Sequence, residues 1–276
     1  MNEGITAFEK KKVLIERLRS FDSLLVAFSG GTDSSFLLAA AQEALGDRVM
    51  AVTACSPVHP RRELDEALAF LDERGIPYTL LESGEMRLPE FLANGPDRCY
   101  WCKRDLFRKI LSLAREKGIS KVAHGANLDD MEDYRPGNRA TMELGILAPL
   151  LEARLGKEEI RFLSREMGLS TWDRPAGACL ATRIPYGRPI TMDDLRMVEE
   201  AEEFLAGKGF RQFRVRHHGA VARIELEEKD IPEMLSGSLR QETARRLLEI
   251  GFLHVALDLG GYRQGALNRA LDGKKD

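Results

Sequence analysis

The sequence predicts an α/β protein, with a parallel sheet covered by helices on both faces and a smaller C-terminal α+β domain. Roughly the first 170 residues alternate short apolar runs with longer amphipathic stretches, a rhythm typical of strands that alternate with helices. A segment punctuated by proline and glycine follows at residues 173–191 and indicates a domain boundary. We therefore divide the chain into domains at residues 1–180 and 181–276.

The individual elements follow from local apolar patterns and from the residues that end them. In the first domain we expect strands at residues 24–28, 49–54, 78–83 and 121–127, and helices at residues 34–45, 61–75 and 105–118. In the second domain we expect helices near residues 192–208 and 238–250, and strands at residues 212–219, 220–226 and 252–259.

Composition narrows the class of protein. The chain has 276 residues, of which 43% are hydrophobic and 31% charged, with a formal net charge of -3, as in ordinary globular proteins. This acidic balance argues against a nucleic-acid partner. No apolar run reaches the roughly 18 residues of a membrane helix, and the charged N-terminus lacks a signal-peptide pattern. We expect a cytoplasmic homo-oligomer with no membrane partner.

The strongest local signal is the string SGGTDSS between the first strand and the first helix that follows it. Gly30 and Gly31 allow a sharp turn whose N–H groups approach an anion. The helix that begins near Asp33 adds a dipole that favours phosphate, and Asp33 can cap that helix or hold a metal. Ser29 and Ser34 can add hydroxyl donors. The plainer alternative is a strand-to-helix turn with a polar cap.

Three of the four cysteines have spacing that suggests chemistry. Cys99 and Cys102 form a Cys-x-x-Cys pair at the start of a predicted helix, and Cys179 lies in the proline- and glycine-rich segment. A zinc site would need a fourth ligand, and no histidine has ligand spacing. A redox dithiol would leave Cys179 unused. A three-cysteine iron–sulfur cluster would use all three and leave one iron open. We expect Cys55 to be a small buried hydrophobe.

The loop that follows the strand at residue 121 lies where parallel sheets bind ligands, beyond a carboxyl end. We expect this loop to face ATP, although Asp129 or Asp130 could equally cap a turn. The candidate residues of this loop are Gly125, Asn127, Asp129, Asp130, Tyr134 and Arg135.

Several arginines and one tryptophan are candidates for substrate binding. Arg183, four residues after Cys179, could grip a carboxylate or phosphate through a bidentate fork, and Trp101 could stack on a flat ring. Arg214 and Arg216 share one face of a strand and suit a phosphate. Arg263 is flanked by glycines, which lets the backbone approach a ligand.

The charged residues also have plainer interpretations. These arginines could be ordinary surface charges, and Trp101 could simply pack against its neighbours. We expect Glu202 and Glu203, on the helix before the arginine-bearing strand, to be solvated, as most helix glutamates are.

The SGG-x-DS string resembles the PP-loop of the ATP pyrophosphatases, which have an adenine nucleotide alpha-hydrolase-like fold and cleave ATP between the α- and β-phosphates. The lysine of a Walker loop is absent. Five strings in order across nearly the whole chain resemble the LarE family, the sulfur transferases of nickel-pincer cofactor biosynthesis. They are SGGTDSS, DRCYWCK, GANLDDMEDYRPG, ACLATRIPYG and LDLGGYRQGALN.

The resemblance implies ATP, Mg²⁺ and a small nucleotide substrate, pyridinium-3,5-biscarboxylic acid mononucleotide. A carboxylate of that substrate is adenylated with loss of pyrophosphate, and sulfur then displaces AMP. One style in this family sacrifices the sulfur of a single cysteine at the position of Cys179. Because this chain also has Cys99 and Cys102, it resembles the three-cysteine style with a [4Fe-4S] cluster, which takes sulfur from external sulfide or a sulfur donor.

Three other functions compete with this interpretation. A tRNA thiolase with the same cluster chemistry would need a basic surface or an RNA-binding module. An amide-forming enzyme of the NAD or GMP synthetase kind would leave three cysteines unexplained. A nucleotide-binding sensor would bind ATP without releasing pyrophosphate.

Overall fold

The computed structural model describes residues 6–131, 136–175, 177–263 and 265–268. The chain forms two compact units, which we call the N-terminal and the C-terminal unit. The N-terminal unit comprises Met1–Ser56, Arg61–Leu88 and Asp97–Gly177, and the C-terminal unit comprises Pro57–Pro60, Pro89–Pro96 and Ala178–Asp276. The predicted division after residue 180 into separate domains stays a prediction, and no local pattern indicated the two short early segments of the C-terminal unit.

The strands and helices predicted from the sequence occur in the predicted order, and the structure adds further helices. Up to β4 the elements are α1 (Ala7–Arg19), β1 (Leu24–Ala27), α2 (Thr32–Leu45), β2 (Val49–Cys55), α3 (Arg61–Glu73), β3 (Tyr78–Glu82), the four-residue α4 (Pro89–Leu92), α5 (Arg98–Glu116) and β4 (Lys121–His124). Four helices follow, which are α6 (Pro136–Glu143), the short α7 (Pro149–Glu152), α8 (Lys157–Glu166) and α9 (Met192–Gly207). The last elements are β5 (Phe213–His218), β6 (Val221–Leu226), the short α10 (Ile231–Leu235), α11 (Leu239–Ile250) and β7 (His254–Leu257).

The sheet of the N-terminal unit is parallel throughout, in the order β3-β2-β1-β4. Along β1 the side chains alternate between two apolar layers. Leu24 and Val26 pack with α1, α2 and α8, whereas Leu25 packs with α5. Period-two geometry sends successive side chains to opposite faces, so helices cover both faces and the predicted fold class is confirmed.

Helix α2 occupies the centre of the larger apolar layer. Phe36, Leu37 and Leu38 are fully buried although they point to different sides of the helix, which is the pattern of a helix surrounded by protein. Each such side chain contributes about 1.5–3 kcal/mol through burial. This packing fixes the N-terminus of α2 at the carboxyl edge of the sheet.

The carboxyl end of β4 comes unusually close to that N-terminus. A Cβ atom built at Gly125 would lie 2.9 Å from the backbone nitrogen of Ser34 and 3.0 Å from its Cα. Real Cβ atoms do not approach backbone atoms this closely. A glycine is therefore required where β4 ends against α2.

The C-terminal unit is built on a three-stranded sheet in the order β5-β6-β7, antiparallel between β5 and β6 and parallel between β6 and β7. Helices α9 and α11 cover this sheet with residues such as Leu205 and Leu247, both fully buried. In the part of the chain that the structure describes, no helix is long and apolar enough to cross a membrane.

A buried ion pair joins α9 to the short 3-10 helix Leu180–Arg183. The Nε and Nη2 atoms of Arg183 donate to the two carboxylate oxygens of Glu202, each at 2.8 Å, and Val215 N donates to the same carboxylate at 2.9 Å. The prediction that Glu202 is solvated is wrong, because Arg183 draws its carboxylate inward. Its neighbour Glu203 is exposed, as predicted.

The pKa of Glu202 follows from these contacts. Burial alone would raise it, but Arg183, Arg214 and the hydrogen bond from Val215 together lower the pKa below its usual range. A carboxyl group with a depressed folded-state pKa contributes stability above its unfolded pKa, and that stability is lost as the pH falls through the folded-state pKa.

We predict that Gly125→Ala lowers the free energy of unfolding by about 1–3 kcal/mol, the usual cost of forced overpacking. Urea denaturation measures the change. Gly207→Ala is the control, since no heavy atom lies within 4 Å of a Cβ at that position. Equal effects of the two substitutions would contradict the close approach of β4 to α2.

We predict that Glu202→Gln lowers the free energy of unfolding at neutral pH by about 3 kcal/mol, because it leaves Arg183 buried without its counter-charge. Below the usual glutamate pKa the difference from wild type should shrink, since the unfolded wild-type chain binds a proton there that the folded carboxylate does not. Urea denaturation across a pH series measures both effects, with Glu203→Gln as the exposed control. A difference that grows on acidification would contradict the depressed pKa of Glu202.

Candidate functional site

The loop between β1 and α2 has the conformation that an anion site needs. Gly30 has a positive φ of +73°, and Gly31 precedes the helix in an extended conformation, with φ -74° and ψ 164°. No side chain caps the N-terminus of α2. The first N–H groups of a helix have no intrahelical partner. They can therefore donate to a phosphate, which the helix dipole also favours.

Two serine hydroxyls lie together in this loop. The Oγ atoms of Ser29 and Ser34 are 3.2 Å apart, and Ser34 also donates to the carbonyl oxygen of Gly31 at 3.1 Å. Asp33 lies in the first turn of α2, where its carboxylate is well placed for a divalent cation beside a phosphate. Together with Gly125, these residues form one cluster at the carboxyl ends of β1 and β4.

The loop after β4 is held by its own side chains. Asn127 N donates to Asp130 Oδ2, and Asp130 N donates to Asn127 Oδ1, both at 3.2 Å. Asp129 accepts a hydrogen bond from Lys157 N at 2.5 Å and so caps α8. Of the two capping alternatives, Asp129 thus serves a helix, whereas Asn127 and Asp130 hold the turn beside the phosphate loop. Their contact with ATP stays a prediction.

Tyr134 and Arg135, which the sequence also suggested for this loop, lie outside the described residues. The structure adds His124, the last residue of β4, which sequence reasoning did not select. Burial, with a smaller contribution from the charge of Lys103, lowers the pKa of His124 to about 3. The imidazole is therefore neutral at physiological pH and packs edge-on against Phe107.

Cys99 and Cys102 lie in the first turn of α5, as predicted, and are half-buried. Residues three apart on a helix share a face, so both thiols face the same side. Trp101, between them, donates from Nε1 to Asp97 Oδ2 at 2.8 Å, and its ring contacts Tyr100 edge-on. These contacts fix the indole on the surface of the helix, and its stacking on a substrate ring stays a prediction.

Cys179 immediately precedes the 3-10 helix and is also half-buried. Its carbonyl oxygen accepts hydrogen bonds from Thr182 Oγ1 at 2.8 Å and from Arg183 Nη1 at 3.1 Å. Arg183, which was expected to grip substrate, thus holds Glu202 and the backbone of Cys179. A direct contact of Arg183 with substrate stays a prediction.

The three cysteines belong to different units: Cys99 and Cys102 to the N-terminal unit and Cys179 to the C-terminal unit. All four cysteines, which lie within the described residues, are thiols. Among those residues, no three His, Cys, Asp or Glu side chains are gathered as a metal-binding group. The expectation that Cys55 is buried is wrong, because this last residue of β2 lies at the exposed carboxyl edge of the sheet.

Arginines collect on β5 in the C-terminal unit. Arg216 is buried and donates to Glu225 Oε2 at 2.7 Å and to the carbonyl oxygen of Thr182 at 2.9 Å. Arg214 lies 5.2 Å from the centre of the Tyr262 ring, and burial and the charge of Arg183 lower its pKa. Burial disfavours the charged form of an arginine, and an anion beside the guanidinium would stabilise that charge.

Arg263 follows Tyr262 and is exposed. The arginines of the C-terminal unit thus form a cluster at Arg183, Arg214 and Arg216, balanced by Glu202 and Glu225. The sequence did not reveal that Glu202 and Glu225 are the partners of these arginines. Arg214 and Arg216 share a strand face by simple alternation, which is why they were found.

Comparison with known proteins covers both units. A family model described as NAD synthase matches residues 5–88. Pyridinium-3,5-bisthiocarboxylic acid mononucleotide synthase of Lactiplantibacillus plantarum is 36% identical over 267 residues, which are 96% of this chain and 96% of that protein. An uncharacterized protein of Synechocystis sp. is 41% identical over 93% of this chain and 97% of its own length.

The family model spans the phosphate loop of the N-terminal unit, whereas the similarity to the synthase extends over 96% of the chain and so over both units. The chain therefore belongs to the family of pyridinium-3,5-bisthiocarboxylic acid mononucleotide synthase, the LarE family of PP-loop ATP pyrophosphatases.

Proposed function

We propose that the protein is an ATP-dependent sulfurtransferase acting on pyridinium-3,5-biscarboxylic acid mononucleotide. The observation that carries this proposal is the similarity to a synthase of the bisthiocarboxylic acid product over 96% of both chains. The geometry of the phosphate loop supports it, because the uncapped N-terminus of α2 can take an anion. The name of the relative supports this substrate class, and the loop supports the use of ATP.

The first step makes the carboxylate reactive. A carboxylate oxygen of the substrate attacks the α-phosphorus of ATP, and the bond from that phosphorus to the bridging oxygen of the β-phosphate breaks. Pyrophosphate leaves with the bond electrons, held by the Gly31 and α2 N–H groups and by the hydroxyls of Ser29 and Ser34. Asp33 would hold a Mg²⁺ ion that offsets the negative charge of the leaving group.

The second step replaces the activated oxygen. A sulfur nucleophile attacks the acyl carbon of the mixed anhydride, the bond to the AMP oxygen breaks, and AMP leaves. The product is a thiocarboxylate. AMP is a good leaving group whereas the oxygen of a free carboxylate is not, so the energy of ATP is used to make the exchange possible. Fixed positions for both partners lower the barrier further.

The arginine cluster would bind the substrate. Arg214 and Arg216 lie on one face of β5, and burial, followed by the charge of Arg183, lowers the pKa of Arg214. A nucleotide phosphate or a carboxylate would stabilise the charged guanidinium groups there, with Arg263 at the exposed edge. Trp101 would stack on the flat pyridinium ring. Arg183 would contribute its charge while it keeps the carbonyl of Cys179 in place.

Cys99, Cys102 and Cys179 fit a [4Fe-4S] cluster by the chemistry of their donor set. The three thiolates would hold the cluster, which would supply an iron at which an external sulfide could bind. The thiols of Cys99 and Cys102 share a face of α5, and Cys179 lies on a backbone fixed by Thr182 and Arg183. External sulfide or a sulfur donor would then replenish the enzyme, which we propose works as a homo-oligomer.

We predict that Cys179→Ala separates the two steps. Pyrophosphate release on addition of ATP and the nucleotide substrate should persist, because the phosphate loop is intact, but thiocarboxylate formation should be lost. A coupled pyrophosphate assay and mass spectrometry of the nucleotide measure the two products. Formation of thiocarboxylate by the Cys179→Ala variant would show that Cys179 is not needed for catalysis.

The rival function is tested with the wild type. Formation of an amide from ammonia would indicate a synthetase of the NAD or GMP kind.

We predict about four irons and a matching content of acid-labile sulfide per chain after anaerobic reconstitution. Cys99→Ala, Cys102→Ala and Cys179→Ala should each lose most of this iron, whereas the exposed Cys55→Ala should keep it. Elemental analysis with a visible spectrum measures the content. Wild-type protein without iron would exclude the cluster, and loss of hydrogen sulfide mass from Cys179 after turnover would then indicate a sacrificial cysteine.

A further inference from the structure

Arg174 contacts the phosphate loop although it lies far from it in sequence. Its Nη1 atom donates to the carbonyl oxygen of Gly30 at 2.5 Å, and its Nη2 atom pairs with Glu66 Oε2 of α3 at 2.7 Å. The side chain is 24% exposed. One guanidinium therefore joins the loop to the helix packed beside it.

The backbone around Arg174 is anchored to the same loop. Thr32 Oγ1, at the first residue of α2, donates to the carbonyl oxygen of Thr171 at 2.8 Å in a buried contact. Arg161 Nη2 donates to the carbonyl oxygen of Arg174 at 3.3 Å. The segment at residues 171–174 is thus held where the Arg174 side chain can reach the loop.

The Gly30–Gly31 peptide needs such a partner. Glycine adopts positive and negative φ with similar ease, so two glycines in succession leave the orientation of the peptide between them weakly determined. On one side the loop is confined by α3, since a Cβ at Gly30 would lie 2.8 Å from the Cβ of Ala67. The hydrogen bond from Arg174 selects one orientation of the Gly30 carbonyl.

That choice also determines where the Gly31 N–H points. A peptide unit is planar and trans, so its carbonyl and its N–H point in opposite directions. With the Gly30 carbonyl turned towards Arg174, the Gly31 N–H faces away from the guanidinium. It is then presented together with the uncapped N–H groups of α2.

We propose that Arg174 is a positioning residue of the pyrophosphate site, which fixes the Gly30–Gly31 peptide so that the Gly31 N–H binds the leaving pyrophosphate. Glu66 holds the guanidinium in place for this role. The inference rests on the proposed function in that it assigns pyrophosphate to this loop. It goes further by naming a residue that does not itself touch the anion.

The test compares binding of inorganic pyrophosphate and of AMP by titration calorimetry. Arg174→Gln should weaken pyrophosphate binding about tenfold, the scale of one lost charge-assisted hydrogen bond, and should leave AMP binding unchanged. Arg174→Lys keeps a charged donor and should recover most of the affinity. Arg115→Gln removes an exposed arginine from α5 and should change neither affinity.

Several outcomes would overturn the proposal. The first is an Arg174→Gln variant that binds pyrophosphate with wild-type affinity. The second is an Arg174→Gln variant whose affinities for AMP and pyrophosphate fall equally. The third is an Arg174→Lys variant that binds pyrophosphate as weakly as Arg174→Gln does. Wild-type protein that binds AMP but no pyrophosphate would overturn the proposed use of the loop and this inference with it. Failure of the proposed function would therefore be seen in the wild type, whereas failure of the role of Arg174 would be seen only in the Arg174 variants.

Discussion

The structure depends on how closely backbones approach one another where β1 and β4 end against the N-terminus of α2. Gly125 lies within contact of the Ser34 backbone, and Gly30 lies against Ala67 of α3. A side chain at Gly125 would push α2 away from the sheet edge, and one at Gly30 would press against α3. Because the first two turns of α2 are largely buried, its position is fixed by many apolar contacts, and the glycines let that position coincide with a helix end whose N-cap residue supplies no side-chain cap. The anion site is therefore a consequence of packing.

Local patterns predicted most of this architecture. The strand and helix order, the parallel sheet, the phosphate loop and the position of Cys99 and Cys102 at a helix start all follow from short-range periodicity and spacing. The structure moves the start of α5 forward to Arg98, because the helix begins before its apolar stripe does. Such boundaries are weakly encoded, since the first turn of a helix is stabilised as much by its surroundings as by its own residues.

Long-range polar contacts were beyond sequence reasoning. Glu202 looked solvated because nothing within its helix reveals Arg183, and Arg174 gave no signal because Gly30 lies 144 residues earlier. A buried glutamate is stable only with a partner, and a partner from another element has no fixed spacing. The prediction for Cys55 was wrong for a different reason: an apolar strand pattern predicts burial, but Cys55, the last residue of β2, is exposed at the edge of the sheet.

The extent of the NAD synthase family match also bears on specificity. The family model ends at residue 88, so the matched part holds the phosphate loop and strands β1 to β3, which would serve any reaction that adenylates a substrate. Cys99, Cys102, Cys179 and the arginines of β5 all lie beyond it. Since adenylation is common to amide-forming and sulfur-transferring enzymes, we propose that this later part of the chain selects the nucleophile and the substrate. In this proposal Arg183 belongs to both selections, because it holds the backbone of Cys179 and adds charge beside Arg214. A change at Arg183 would then disturb sulfur delivery and substrate binding together, whereas the role proposed for Arg174 concerns pyrophosphate alone.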